Sequence, residues 1–219
     1  MKSNWETTRA RSKYHFDTSK WDPKWDTVEQ LGHVEPCWTT ELAQAISASR
    51  AVSWRTRGQP GDQKTRSSEE HDQEEYDLES YGMAKDYTVT NMTYDIAPVF
   101  QTIADQFGLK DTMARVHVQL PGQVWNLHLD KLEKWMPEDP SRVGRYFVQL
   151  TDWQPGHFWA YGNYCWTGWF AGSVTTFDWI NVPHCTANAG HTPRVTLQVT
   201  GVKTRDTEQY IELLYYAKS

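Results

Sequence analysis

A jelly roll braced by helices on its N-terminal side is the fold this sequence predicts, on three observations. Apolar residues recur at helical spacing before about residue 110 and at a period of two after it. The later segments are short, and turns containing Gly, Pro or Asn divide them. Helices first and a string of short strands afterwards is the order of a mainly β domain with its helices set to one side.

The elements follow in chain order. Residues 1 to about 38 are polar with scattered Trp5, Tyr14, Phe16, Trp21 and Trp25, which suits an arm lying over a body. A first helix begins at Thr39 or Thr40 as N-cap, gains from Glu41 in its first turn, and aligns Leu42, Ala45, Ile46 and Ser49 on one face through Arg50. The stretch 55–80 has only Tyr76 and Leu78 as large apolar residues, with a basic front and an acidic back, so it buries little. It reads as a surface loop or as a lid over bound substrate. A second helix runs from about Ala97 to Phe107, with Pro98 in its first turn, Phe100, Ile103, Ala104 and Phe107 on one face, and Gly108 as the stop.

Period two then takes over. Val116, Val118 and Leu120 alternate with Arg115, His117 and Gln119, and Pro121-Gly122 turns the chain into a strand from Val124 to Asp130. Further strands are predicted at 145–150, 173–177, 182–187 and 195–200. The chain of 219 residues fits one domain, divided into an arm, helices and charged loop over 1–110 and a roll over 111–219.

Composition narrows the function. A net charge of -6 provides no general positive field for nucleic acid or anionic lipid, so neither partner is expected. Twelve Trp and eleven Tyr stand out against a mean hydropathy of -0.74. They read first as core and second as a stacking surface for a ring-bearing substrate. Cys37, Cys165 and Cys185 are odd in number and lack C-x-x-C spacing, against a disulfide framework or zinc ribbon and for a reducing compartment. With no apolar signal core in the first thirty residues and no run of about 18 apolar residues, a soluble, cytoplasmic protein is expected.

The chemistry concentrates in the roll. On a regular strand His128 and Asp130 share a face with Asn126, and Trp125, Leu127 and Leu129 take the other. An imidazole and a carboxylate side by side, joined by a distant His184 on a neighbouring strand, are the ligand set of a non-haem Fe(II) facial triad. Arg194 lies ten residues past His184 and shares a face with Thr196 and Gln198, opposite Val195, Leu197 and Val199. A guanidinium fork beside a hydroxyl matches a buried carboxylate. Arg145, Phe147 and Gln149 repeat the pattern opposite Tyr146, Val148 and Leu150. In a roll these polar faces converge inside; on half-buried strands they would face solvent. Among the other candidates, His191 reads as a loop residue and His157 as surface or substrate-side. His117 reads as a hydrogen-bonding residue or as part of a three-His site of cupin type. Asn188 reads as fixing a turn, and Asp178 equally as a turn or catalytic residue.

Pro121-Gly122, His128-x-Asp130, Arg145 before an alternating strand, Gly172-Ser173 leading to Phe177-Asp178, and His184-x-x-x-Asn188-x-Gly190-x-x-x-Arg194-x-Thr196 occur in one order. Over roughly 115–201 the chain thereby resembles the Fe(II)/2-oxoglutarate-dependent oxygenases, within them the aspartyl/asparaginyl β-hydroxylase and proline hydroxylase branch of phage or bacterial type. The resemblance implies a double-stranded β-helix of cupin-like form with His128, Asp130 and His184 as iron ligands. It implies Arg194 and Thr196 as the clamp on the far carboxylate of 2-oxoglutarate, and Arg145 near its chelating end or the substrate. The implied cofactors are Fe(II), 2-oxoglutarate and O2. The implied reaction is hydroxylation of an unactivated C–H in an amino acid or a protein or peptide side chain, in the host cytoplasm if the chain is phage-encoded. Phe147 stands where some relatives have His, and Asp130 sets the chain apart from halogenating cousins that lack the carboxylate. The rival readings are a cupin-type metal-dependent isomerase or sugar-modifying enzyme using His117, and a non-catalytic jelly-roll binding module. The aromatic segment from Trp153 to Trp169 is the expected mouth of the roll and seat of specificity.

Overall fold

The computed structural model describes residues 28–53, 88–130, 132–162 and 164–217. Its strands in chain order are β1 (Val28–His33), β2 (Arg50–Ser53), β3 (Thr88–Thr93), β4 (Lys110–Gln119), β5 (Val124–His128), β6 (Val143–Gln149), β7 (His157–Tyr161), β8 (Tyr164–Trp166), β9 (Ser173–Phe177), β10 (His184–Asn188) and β11 (Arg194–Val202). The helices are α1 (Thr39–Ala48), α2 (Pro98–Gln106) and α3 (Arg205–Ala217). Seven strands form one antiparallel sheet in the order β1-β9-β6-β11-β4-β3-β2, and four form a second in the order β5-β10-β7-β8. From β4 to β11 the chain shuttles between the sheets, as in a double-stranded β-helix.

The two faces of the large sheet explain its position. Val116, Val118, Tyr146, Val148, Val174, Val195, Leu197 and Val199 point away from the small sheet into a core completed by Phe100, Ile103 and Ala104 of α2, Ala45 of α1 and Leu214 of α3. The opposite face carries the polar residues, yet every residue of β6 and β11 is buried. The polar faces thus turn inward against the second sheet and not toward solvent.

The sequence and the fold differ at the ends of elements and at the sheet edges. The N-cap of α1 is Trp38, not Thr39 or Thr40, and no side chain caps it. Trp38 is instead held by its indole, which donates to the Leu150 carbonyl at 3.0 Å, so tertiary anchoring fixes the helix start. The helix stops at Ala48 because Arg50 opens β2, opposite Met92. Part of the predicted arm forms β1, which pairs with β9. β1, β2 and β3 all precede residue 111, so the roll is not confined to 111–219. The rest of the arm (1–27) and the charged stretch 55–80 lie outside the described residues.

α3 has no counterpart among the elements the sequence predicts. Its start is capped locally: Thr204 Oγ1 accepts from Asp206 N at 3.1 Å and Thr207 N at 3.4 Å, while Thr207 Oγ1 accepts from Thr204 N at 3.0 Å. It lies against β1 where Gly32 has no side chain, and a Cβ there would come within 2.5 Å of the Leu214 carbonyl oxygen. Among the described residues no helix is long and apolar enough to cross a membrane.

Leu197 is wholly buried at the centre of the outer core. Leu197→Ala is expected to cost about 2–5 kcal/mol, seen in urea unfolding as a lower midpoint at unchanged slope. A loss under about 1 kcal/mol would mean that β11 is not the packed centre of the fold.

Candidate metal and anion site

Register builds the first half of the site. β10 lies between β5 and β7, with His184 opposite His128 on one side and Tyr161 on the other. This brings the two imidazoles to a centroid separation of 4.3 Å. Asp130, two residues past His128, places its carboxylate oxygens 3.8 Å from His128 Nε2 and 3.7 Å from His184 Nε2. The ligand atoms of the three buried residues all lie within 4.8 Å of one another.

The β5–β10 ladder also holds an irregularity that alternation could not reveal. Thr186 lies two residues past His184 but pairs with Trp125, three residues before His128. This bulge reverses the parity of β5, and Trp125 joins the face that strict alternation denied it. Its ring stacks on His128 at 5.6 Å and also meets His117 at 5.5 Å.

Hydrogen bonds define the protonation of the cluster. His128 Nδ1 donates to the Asn126 carbonyl at 2.7 Å, and His184 Nδ1 faces the Val182 carbonyl at 3.4 Å. A carbonyl oxygen only accepts, so each neutral ring carries its proton on Nδ1 and its lone pair on Nε2, toward Asp130. Burial lowers the His184 pKa, although Asp130 opposes the shift. Burial alone would raise Asp130, but Arg145, then His184 and His128, outweigh it and hold the carboxyl far below the usual range. Two imidazole nitrogens and one carboxylate are a donor set that suits a divalent iron-type ion.

The second half of the site lies on the large sheet, where directly opposed residues form polar pairs. Arg194 faces Gln119, Gln198 faces Arg115, Thr196 faces Gln149 and Thr200 faces Arg145. Each pair is hydrogen-bonded. Arg194 donates to Gln119 Oε1 from Nε and Nη2 at 3.1 and 2.9 Å and to Thr196 Oγ1 at 3.3 Å, and its guanidinium lies 4.6 Å over the Trp159 ring. Burial pulls its pKa down to about 10, so it remains a cation at neutral pH. No described carboxylate pairs with it.

Arg145 behaves differently. Its Nη1 hydrogen-bonds Asp130 Oδ2 and its Nε donates to Thr200 Oγ1 at 3.2 Å, so it supports the metal-ligand candidate directly. Histidines aside, the buried charged side chains among the described residues are Arg115, Arg145, Arg194 and Asp130. Positive charge is in excess inside the roll. Buried polar atoms without a described hydrogen-bond partner also accumulate there: Gln149 Nε2, Thr175 Oγ1, Tyr161 Oη and Trp159 Nε1. The Tyr161 and Thr175 hydroxyls approach each other without completing a bond of standard geometry. Such orphan groups and an uncompensated guanidinium suit a polar, anionic ligand.

The remaining candidates divide cleanly. His117 lies outside the metal cluster and hydrogen-bonds Gln198 Oε1 through Nε2 at 3.1 Å. His157 is buried, neither at the surface nor beside the triad, because its ring ties two turns together through Gln154 N at 3.3 Å and the Thr192 carbonyl at 3.1 Å. Asn188 bonds the Gln119 and Thr192 carbonyls and the Gly190 amide, fixing the turn after β10. Asp178 accepts from the Ile180 and Asn181 amides and shapes the turn before it. His191 is exposed. Phe147 points inward, edge-on to Trp159 at 5.0 Å. The segment 153–169 is less a mouth than a second core, since Trp159, Trp166 and Trp169 are buried with Phe147, Tyr161 and Phe177. The sequence places Gln119 on the polar face with Arg115, and Trp159 and Tyr161 within the specificity segment 153–169, but strand register alone shows Gln119 and Trp159 against Arg194 and Tyr161 opposite His184.

No protein-family model matches this sequence, and no curated protein matches it. Solved structures similar to it include a viral collagen prolyl hydroxylase from Paramecium bursaria Chlorella virus-1 in its 2-oxoglutarate complex. It is 13% identical over 52% of this chain and 80% of that one, with a TM-score of 0.41. A cupin 2 conserved barrel protein of Salinispora arenicola is 10% identical over 57% and 84%, at 0.33. A predicted oxalate decarboxylase of Thermotoga maritima is 14% identical over 52% and 80%, at 0.33.

Burial and the nearby Arg115 push the His117 pKa well below 6.5. The unfolded chain therefore binds a proton that the folded chain refuses, so stability is complete above 6.5 and is lost as pH falls below it. Between about pH 7.5 and about pH 5.5 the metal-free protein is expected to lose unfolding free energy, and His117→Gln to lose less. Equal losses in the two proteins would show that His117 is not buried in its neutral form.

Proposed function

We propose that this protein is an Fe(II)- and 2-oxoglutarate-dependent dioxygenase that hydroxylates an unactivated C–H of an amino acid or a protein side chain. One observation carries the reading: the interior that gathers His128, Asp130 and His184 also buries Arg194 as a cation with no carboxylate of its own among the described residues. A metal triad alone suits many cupin chemistries. The additional guanidinium fits a diacid co-substrate, of which Arg194 would hold one carboxylate.

When bound, Fe(II) and 2-oxoglutarate supply the oxidising chemistry: with O2 the keto acid becomes succinate and CO2, and one oxygen atom enters the substrate C–H bond. The chain's own groups bind and orient. His128 and His184 offer Nε2 because backbone carbonyls hold their Nδ1 protons. Arg145 engages one oxygen of Asp130, whose other oxygen would be available to hold the metal. Gln119 fixes the plane of Arg194, and Thr196, whose hydroxyl accepts from Arg194 and donates to Gln149, braces the guanidinium of the clamp. Phe147, Phe177, Trp159 and Tyr161 wall the interior and exclude water. No side chain needs to act as a general acid or base.

The isomerase alternative would recruit His117, which is committed to Gln198. A pure binding module would need no metal. The proposed setting is the cytoplasm, with neither nucleic acid nor membrane as partner.

Succinate release from 2-oxoglutarate by Fe(II)-loaded protein tests the reading. His184→Ala is expected to abolish it. Arg194→Ala is expected to weaken 2-oxoglutarate binding about 10- to 150-fold, the worth of a hydrogen bond to a charged group, with metal affinity largely retained. Unchanged co-substrate affinity in Arg194→Ala would remove the clamp.

A further inference from the structure

We infer that Arg115 is the seat of a second bound anion, a carboxylate of the substrate itself. This rests on the functional reading above, which assigns Arg194 to the co-substrate and Arg145 to Asp130 and leaves one buried guanidinium without a task.

Arg115 projects from β4 and is 8% exposed. Its Nε donates to Gln198 Oε1 at 2.6 Å and its Nη1 to the Tyr94 hydroxyl at 3.1 Å. Both acceptors are neutral, and no described carboxylate joins them. A guanidinium carries five N–H groups, so the second hydrogen of Nη1 and both hydrogens of Nη2 are uncommitted. The parallel pair along that Nη1–Nη2 edge matches the two oxygens of a carboxylate. Gln198 and Tyr94 act as braces: they fix the plane of the fork without neutralising it.

The surroundings make this a binding position and not a stray surface charge. Tyr94 is only half-buried, which opens the site from the β3 end. On the inner side, His117 shares Gln198 Oε1 with Arg115, and its ring meets Trp125, which stacks on His128. A continuous run of side-chain contacts, through Gln198, His117 and Trp125, therefore joins Arg115 to His128. Charge counting agrees. A ferrous ion would add to the excess of buried guanidinium over carboxylate, and the two charges of 2-oxoglutarate would not cancel the sum. A carboxylate-bearing substrate brings it closer to neutrality, whereas a neutral or cationic one does not.

The test uses the full chain loaded with Co(II) and 2-oxoglutarate, and thermal melting to measure ligand binding. Three probe sets are compared: the N-acetyl L-amino acids other than Asp and Glu, which carry one free α-carboxylate and no ammonium, their carboxamides, and N-acetyl aspartyl and glutamyl amides, whose only carboxylate is on the side chain. Binding is expected from the free acids or from the side-chain acids, which identifies the source of the carboxylate, and not from the carboxamides. Arg115→Gln is expected to raise the dissociation constant of the responding acid at least about tenfold, with Co(II) and 2-oxoglutarate affinities within about twofold of wild type. Arg115→Lys keeps the buried charge and loses the fork. It is expected to weaken the acid at least about threefold and serves if the Gln variant does not fold. No binding by any acid, equal binding by the carboxamides, or undiminished affinity in a folded Arg115 variant would overturn the assignment. Failure of wild type to bind Co(II) and 2-oxoglutarate sinks the functional reading instead.

Discussion

Buried positive charge that the protein does not itself neutralise is the constraint on which this molecule turns. Arg115, Arg145 and Arg194 are buried with Asp130 as the one described carboxylate among them. Each lone buried ion costs several kcal/mol even after relaxation. The fold lowers that cost without cancelling the charge. Every guanidinium faces a neutral oxygen directly across a strand pair, Gln119 for Arg194, Gln198 for Arg115 and Thr200 for Arg145. Such bonds orient a cation and leave its field available. The outer faces of β4, β6 and β11 make this arrangement possible, because Val116, Val148, Leu197 and their neighbours build a core with the helices.

The metal-ligand candidates come from the smaller sheet, and their geometry depends on an irregular ladder. The shift between β5 and β10 keeps His128 opposite His184 while turning Trp125 inward to stack on His128. The two sheets thus divide the labour. The small one gathers nitrogen and oxygen ligands, and the large one supplies the cations. Tyr161, on β7, lies opposite His184 and stacks on Trp159, the ring beneath the Arg194 guanidinium.

The parts of this site that were legible in the sequence are those set by strict alternation. His128 and Asp130, Arg194 and Thr196, and Arg145 and Gln149 lie on polar half-strands opposite runs of Val and Leu, and two-residue parity sorts them onto one face. What parity cannot give is register. Which glutamine meets which arginine is decided by strand pairing over long sequence separations, so Gln119 and Gln198 were visible as polar residues but not as partners. The bulge at β5 defeated parity outright. The edge strands β1 and β2, and β3 just inside β2, lack the alternation by which a strand is recognised: in β1 Leu31 alone is buried, and in β3 the buried residues come in adjacent pairs. The aromatic run 153–169 resembled a surface for ligands because composition cannot separate an exposed indole from one packed against Phe147.

The central claim is that the residues of the roll suit a metal at His128, Asp130 and His184 and the far carboxylate of a diacid at Arg194, a guanidinium with no described carboxylate partner. The most direct measurement is the melting temperature of Co(II)-loaded protein with 2-oxoglutarate and, separately, with 2-oxobutyrate, which keeps the chelating end and lacks the far carboxylate. Ligand that binds only the folded state raises the melting temperature in proportion to its affinity. The account predicts a clear rise with 2-oxoglutarate and little with 2-oxobutyrate, the difference vanishing in Arg194→Ala. Equal shifts with both keto acids, or none with either, would contradict it.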